Sequence, residues 1–159
     1  MTSAEMYQPA KSAVGLLESD SQPRPHLQPV PPAEPKCKVL VLEDDDLQLQ
    51  VLTRHLQALD LQVLSAKTVE AAAQILRDNA LQLAILDINL PDGSGLNLCE
   101  RMDLNPLLAG LPKIVLSSLT NADLVRQTRA AGGCFFIGKP YDPNVLLAII
   151  ERALGTELQ

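Results

Sequence analysis

From Cys37 onward the chain alternates short apolar runs with amphipathic stretches, and this alternation restricts the fold more than any other feature. Lys38-Val39-Leu40-Val41-Leu42 is too continuously apolar for a half-exposed strand, so it reads as a strand buried on both faces. Leu49, Leu52, Leu56 and Leu59 then recur at three- and four-residue steps, the spacing of one helix face. Leu61 to Ser65 reads as a second strand, and the alanine-rich segment from Val69 to Asn79 as a second helix. A third strand is expected from Leu81 to Leu86, broken off by Pro91-Asp92-Gly93-Ser94-Gly95. Leu96 to Met102 makes a short helix and Lys113 to Leu116 a fourth strand. Ala122 to Ala131 makes a fourth helix, with Gly132 and Gly133 as its stop. Cys134 to Ile137 is the fifth strand. The last helix opens on Asp142 as N-cap with Pro143 in its first turn and runs through Leu154 to Gly155.

Strand–helix units of this kind imply an α/β fold, a doubly wound parallel sheet of five strands with helices on both faces. Ligands of such sheets bind beyond the carboxyl ends of the strands, near the point where strand order reverses. Composition agrees: 47% of the 159 residues are hydrophobic, enough for a packed core, and the 3% of aromatics makes that core aliphatic. A net charge of −6 argues against general nucleic-acid binding, which leaves a basic footprint. No apolar run approaches the roughly 18–20 residues that span a bilayer, so membrane insertion is not expected. Met1-Thr2-Ser3-Ala4-Glu5 lacks the pattern of a signal peptide. The expectation is a soluble cytoplasmic protein. Cys37, Cys99 and Cys134 form no C-x-x-C pair, and Cys99 and Cys134 read as small buried thiols.

Residues 1–36 differ sharply from the rest. Seven of the twelve prolines fall there, with no sustained hydrophobic period, and the segment reads as a disordered, partly polyproline-like tail ahead of a domain spanning 37–159. Pro31-Pro32 and Pro35 allow an SH3-ligand reading, with a solvated spacer as the plainer one.

The strand ends carry the chemistry. The first strand runs into Glu43-Asp44-Asp45-Asp46, which taken alone is an ordinary solvated helix start. The third ends in Asp87, the fourth in Ser117-Ser118 and the fifth in Lys139-Pro140, so acids, a hydroxyl and an ammonium converge on one rim of the sheet. Carboxylates gathered from separate strands bind a hard divalent cation through oxygen, which suits Mg²⁺. A carboxylate can also attack phosphorus to give an aspartyl phosphate, with a cation and an ammonium offsetting charge on the phosphoryl oxygens.

At these positions the sequence resembles the receiver domains of two-component response regulators, over roughly Lys38 to Leu154. Val39-Leu40-Val41-Leu42-Glu43-Asp44-Asp45 is similar to the family's first strand and acidic pair. Leu86-Asp87-Ile88-Asn89-Leu90-Pro91-Asp92-Gly93-Ser94-Gly95 resembles the phosphoacceptor strand and its loop. Pro112-Lys113-Ile114-Val115-Leu116-Ser117-Ser118 fits the strand ending in Thr or Ser, and Gly138-Lys139-Pro140-Tyr141 the Lys-Pro-aromatic motif. The resemblance implies a flavodoxin-like (βα)5 fold with strand order 2-1-3-4-5 and a stand-alone receiver. It implies Asp87 as phosphoacceptor and metal neighbour, Asp44 as a direct Mg²⁺ ligand, Glu43 acting through metal-bound water, and the Asn89 backbone carbonyl as a further ligand. Ser117 and Lys139 would contact the phosphoryl group, Ser117 and Phe136 would form the switch, and Lys139–Pro140 would be a cis bond. The partners it implies are a histidine kinase or histidine phosphotransfer protein and an unidentified downstream protein. On this view the chain is not a turnover enzyme but a phosphoacceptor taking part in its own phosphorylation and dephosphorylation.

Some positions depart from the family's pattern. Phe136 replaces a frequent Tyr and lacks its hydroxyl. Leu119 is apolar where many members are polar, which bears on water attack and signal lifetime. Asp92 is an added acid in the loop, read as a turn residue. A haloacid-dehalogenase-like hydrolase needs an Asp where Asn89 stands, and a flavodoxin-like cofactor binder would find phosphate repelled by Glu43 to Asp46. The remaining alternative is a receiver-shaped interaction protein that works without phosphorylation. His26 lies in the tail and His55 on a helix surface, giving no phosphotransfer histidine. The sequence stops one turn after the last helix, so output is expected through a protein contact or onward phosphoryl transfer.

Overall fold

The computed structural model describes residues 36–119, 122–132 and 135–155. The expected proline-rich tail therefore lies outside the described residues except for Lys36, as do Gly133 and Cys134. The elements are β1 (Lys38–Leu42), α1 (Asp46–Ala58), β2 (Gln62–Ala66), α2 (Val69–Asp78) and β3 (Leu83–Asp87). Two-residue strands β4 (Asn89–Leu90) and β5 (Gly93–Ser94) follow, then α3 (Gly95–Asp103), β6 (Lys113–Ser117), α4 (Ala122–Ala130), β7 (Phe135–Gly138) and α5 (Pro143–Leu154).

Five strands make one parallel sheet in the order β2-β1-β3-β6-β7. Numbered within that sheet alone, this is the doubly wound order 2-1-3-4-5. The continuous apolar runs are explained by the period-two alternation of side chains across a sheet with two covered faces. Val39, Val41, Leu83, Ile85, Ile114 and Leu116 point to one layer, where Leu49, Leu52 and Leu56 of α1 meet Leu146 and Ile150 of α5. Leu40, Leu42, Ala84, Leu86 and Val115 point to the other, against α2 and α3. His55 is exposed and Cys99 buried, as expected. Asp142 caps α5 through the Asn144 amide at 2.8 Å, and Gly155 ends that helix at φ +66°.

Several boundaries differ from the sequence expectation. Leu61 still belongs to the turn out of α1, its amide bonded to the Leu56 carbonyl beside Asp60 at φ 60°, so β2 begins at Gln62. β3 starts two residues later than expected and continues through Asp87, and β6 likewise includes Ser117. The loop after Asp87 is not plain coil but a small antiparallel hairpin pairing Asn89 with Ser94 and Leu90 with Gly93. Lys113, opening β6, is buried to 1% exposure and donates to Asp103 Oδ1 on α3 at 2.7 Å.

Candidate phosphoacceptor and cation site

The acidic run after β1 is divided among three tasks by the chain reversal there. Glu43 continues the strand, its amide bonded to the Ala66 carbonyl at 3.0 Å, and its side chain is buried. Asp44 is exposed. Asp45 is the N-cap of α1, accepting from the Gln48 amide at 2.8 Å, and Asp46 in the first helical turn pairs with Lys67. Two of the four acids thus serve the helix, as a bland reading of the run requires, and the other two turn toward Asp87.

β3 lies beside β1, so the strand ends bring Asp87 next to Glu43 and Asp44. Their carboxylates offer one oxygen each within 4.8 Å of one another. From β7, the backbone of Lys139 is held by its amide on the Ser117 carbonyl at 2.7 Å, ahead of a cis Lys139–Pro140 bond. Its ammonium reaches back to donate to Glu43 Oε2 at 2.5 Å and Asp87 Oδ2 at 2.8 Å. The other Asp87 oxygen accepts from the Asn89 amide at 3.3 Å, and the other Glu43 oxygen from the Asp45 amide at 3.1 Å.

Burial is the main influence on these charges. It pushes the Glu43 carboxyl above its ordinary value, while hydrogen bonds from Lys139 and Asp45 pull back and the Asp87 charge adds to the rise. Burial acts the other way on Lys139, but its bonds to Asp87 and Glu43 prevail and hold the ammonium charged to higher pH than usual. Burial also raises the Tyr141 phenol. Three carboxylates against one ammonium leave the cluster negative, and all its donors are hard oxygens from separate strands. That set fits a hard divalent cation.

Glu43, Asp44, Asp87 and Lys139 are therefore brought together, as the sequence suggested. Ser117 is fully buried at the end of β6, with its hydroxyl accepting from the Leu119 amide at 3.0 Å. Phe136 is half-buried and packs against the α2–α3 core layer, paired in register with Val115. Asn89 is exposed, and its amide is the group seen on Asp87. Asp92 lies in the turn between β4 and β5, as expected, and in addition its carboxylate accepts from the Val69 and Glu70 amides at 2.8 and 3.1 Å and so caps α2. The contact joins residues 23 positions apart and carries no local sequence signature.

Residues 39–151 match the family profile of the response regulator receiver domain, and the chain belongs to that family. It is 33% identical over 117 residues to the transcriptional regulatory protein GltR of Pseudomonas aeruginosa, covering 73% of this chain and 48% of GltR. The chain thus spans about half the length of that relative. Among solved structures, the non-phosphorylated HemR receiver domain of Leptospira biflexa shares 31% identity at a TM-score of 0.69, covering 75% of this chain and 94% of that one. A CheY-like receiver domain protein of Methanospirillum hungatei JF-1 shares 26% identity at a TM-score of 0.72, covering 76% and 95%. Among the described residues no helix is long and apolar enough to cross a membrane.

Proposed function

We propose that the chain is a phosphoacceptor, taking a phosphoryl group on Asp87 from a histidine kinase or histidine phosphotransfer protein in a Mg²⁺-dependent reaction. The observation that carries this reading is the placement of Asp87 between the half-buried Lys139 and two further acids at the sheet's switch point. An Asp87 oxygen forms a bond to phosphorus as the bond from phosphorus to the donor nitrogen breaks, and that nitrogen keeps the electron pair. Lys139 moves from neutralising the carboxylates to neutralising the new phosphoryl oxygens. Ser117 turns its hydroxyl from the Leu119 amide to donate to the same group. Glu43, Asp44, Asp87 and the Asn89 carbonyl would hold Mg²⁺, which supplies charge neutralisation at the transferring group.

The chain undergoes this chemistry rather than turning over a separate substrate. Signalling through contact with another protein is supported by the net charge of −6, which disfavours readout of nucleic acid by this chain. Acetyl phosphate with Mg²⁺, followed by intact mass, tests the reading. The wild type should gain one phosphoryl group and Asp87→Asn none, with the variant still folded by circular dichroism. An unlabelled wild type would favour a receiver-shaped interaction protein that works without phosphorylation.

A further inference from the structure

Asp92 stands outside the cluster of Glu43, Asp44, Asp87 and Lys139, and both its oxygens are committed to another element. Oδ1 accepts from the Val69 amide at 2.8 Å and Oδ2 from the Glu70 amide at 3.1 Å. Those amides open α2, which already has its own cap in Thr68, whose hydroxyl accepts from the Ala71 amide at 3.2 Å. A negative charge at this helix end is favoured by the dipole, and the amides hold the Asp92 carboxyl below the usual carboxylate range. The backbone is close as well: a Cβ added at Gly93 would meet Val69 Cγ2 at 3.3 Å.

The same few residues touch the candidate phosphoacceptor at their other end. Asn89, the first residue of the β4–β5 hairpin, donates its amide to Asp87 Oδ1. Gly95, just after the hairpin, donates to the Ile88 carbonyl at 3.0 Å, and a Cβ there would lie 2.1 Å from the Asp87 carbonyl oxygen. The hairpin is thus anchored once on α2 and once on Asp87. Thr68 takes only the Ala71 amide, so Asp92 satisfies the two amides this cap leaves open, and it does so from the hairpin rather than from α2's own sequence.

We propose that Asp92 is a positioning residue for Asp87: by clasping the start of α2 it fixes the β4–β5 hairpin, so that the Asn89 amide holds the Asp87 carboxylate in one orientation. The inference rests on the reading of Asp87 as phosphoacceptor. Charge-assisted bonds to both oxygens define the hairpin's place more tightly than a single neutral bond. An ångström of misplacement in a group-transfer site costs about a hundredfold, and partial relaxation of the hairpin should cost about tenfold.

The test compares Asp92→Ala, Asp92→Asn and Thr68→Ala in the full chain. Three quantities are read: the rate constant with acetyl phosphate at saturating Mg²⁺, amide hydrogen exchange without Mg²⁺, and the thermal midpoint. Asp92→Ala should slow phosphorylation about tenfold and speed exchange at Asn89 and Gly95, while Asp92→Asn, which keeps an acceptor oxygen, recovers part of the rate. Thr68→Ala should lower the midpoint but leave the rate within about twofold. A wild-type rate in Asp92→Ala, or an equal loss in Thr68→Ala, overturns the proposal. A wild type that takes no phosphoryl group on Asp87 counts against the reading of the site instead. Unchanged exchange at Asn89 in Asp92→Ala then overturns the clasp itself.

Discussion

Glu43 and Asp44 are neighbours in sequence with opposite surroundings. Both oxygens of Glu43 are engaged, by the Asp45 amide and the Lys139 ammonium, and its side chain is 3% exposed, whereas Asp44 is open to solvent. A direct ligand should come from the acid that is free to turn, so Asp44→Ala is expected to weaken Mg²⁺ binding about a hundredfold and Glu43→Ala about tenfold. Calorimetric titration checks the ordering, and equal losses would contradict it. Leu119 is 58% exposed and its amide holds the Ser117 hydroxyl. Many receiver domains carry a polar side chain at this position, which bears on attack of water at a phosphoryl group. Leu119→Asn is expected to shorten the phosphoryl lifetime by about threefold or more, read as decay of the phosphorylated mass over time. The convergence of Glu43, Asp87 and Lys139 was open to sequence reasoning because strand ends in a doubly wound sheet announce themselves: an apolar run stopping on Asp87 or Lys139 is visible without coordinates. What the run could not reveal was how Glu43 to Asp46 divide their labour, since four adjacent acids look alike until the turn into α1 separates them.

Elements are tied to one another by two contacts that no local pattern foretold. Lys113 heads β6, and a lysine at a strand start reads as solvated; it is buried because Asp103, at the end of α3 and 36% exposed, meets it from another layer. Removing Asp103 strands an ammonium in the core, so Asp103→Ala should cost about 2–3 kcal/mol, discounted for the partial exposure of the carboxylate. Lys113→Met, which removes the charge and keeps the volume, should be within about 1 kcal/mol of wild type. Urea unfolding distinguishes these outcomes. The contact also needs Gly132, at φ +79°, where a Cβ would fall 1.5 Å from Asp103 Oδ2. The second contact, from Asp92 to α2, has a pH signature. Its carboxyl is held below 3.8 in the folded chain, so its contribution is present above that value and lost as pH falls through the lower folded value. The difference in midpoint between wild type and Asp92→Ala should therefore shrink as pH is lowered through and below the ordinary aspartate range. A constant difference would mean that the capping bonds do not depend on the charge. Both contacts pair residues on different elements, which explains why the periodicities that located the helices and strands passed over them.

At the scale of the molecule, the site straddles β1 and β3, where the winding of the sheet changes direction, and β6 and β7 lie beyond it on the β3 side. Ser117 ends β6, and Val115 of the same strand stands in register with Phe136 of β7. A hydroxyl drawn toward Asp87 would loosen the end of β6 beside that ring, and the shift is limited by the difference in phosphoryl contacts between the two states. Beryllofluoride, a phosphoryl mimic, should perturb NMR resonances from Ser117 to Tyr141 as well as those around Asp87. Changes confined to Glu43–Asp46 and Asp87–Gly95 would place the output surface elsewhere.

Gly95 has a consequence for anyone who maps this protein by saturation mutagenesis. With the Asp87 carbonyl 2.1 Å from where a side chain would begin, the position admits hydrogen and nothing larger without moving the backbone of Asp87. A library would score it as intolerant as Asp87 itself, and for a reason of space alone. Its dead alleles would resemble loss of chemistry, and only second-site substitutions that let the strand step back would tell the two apart.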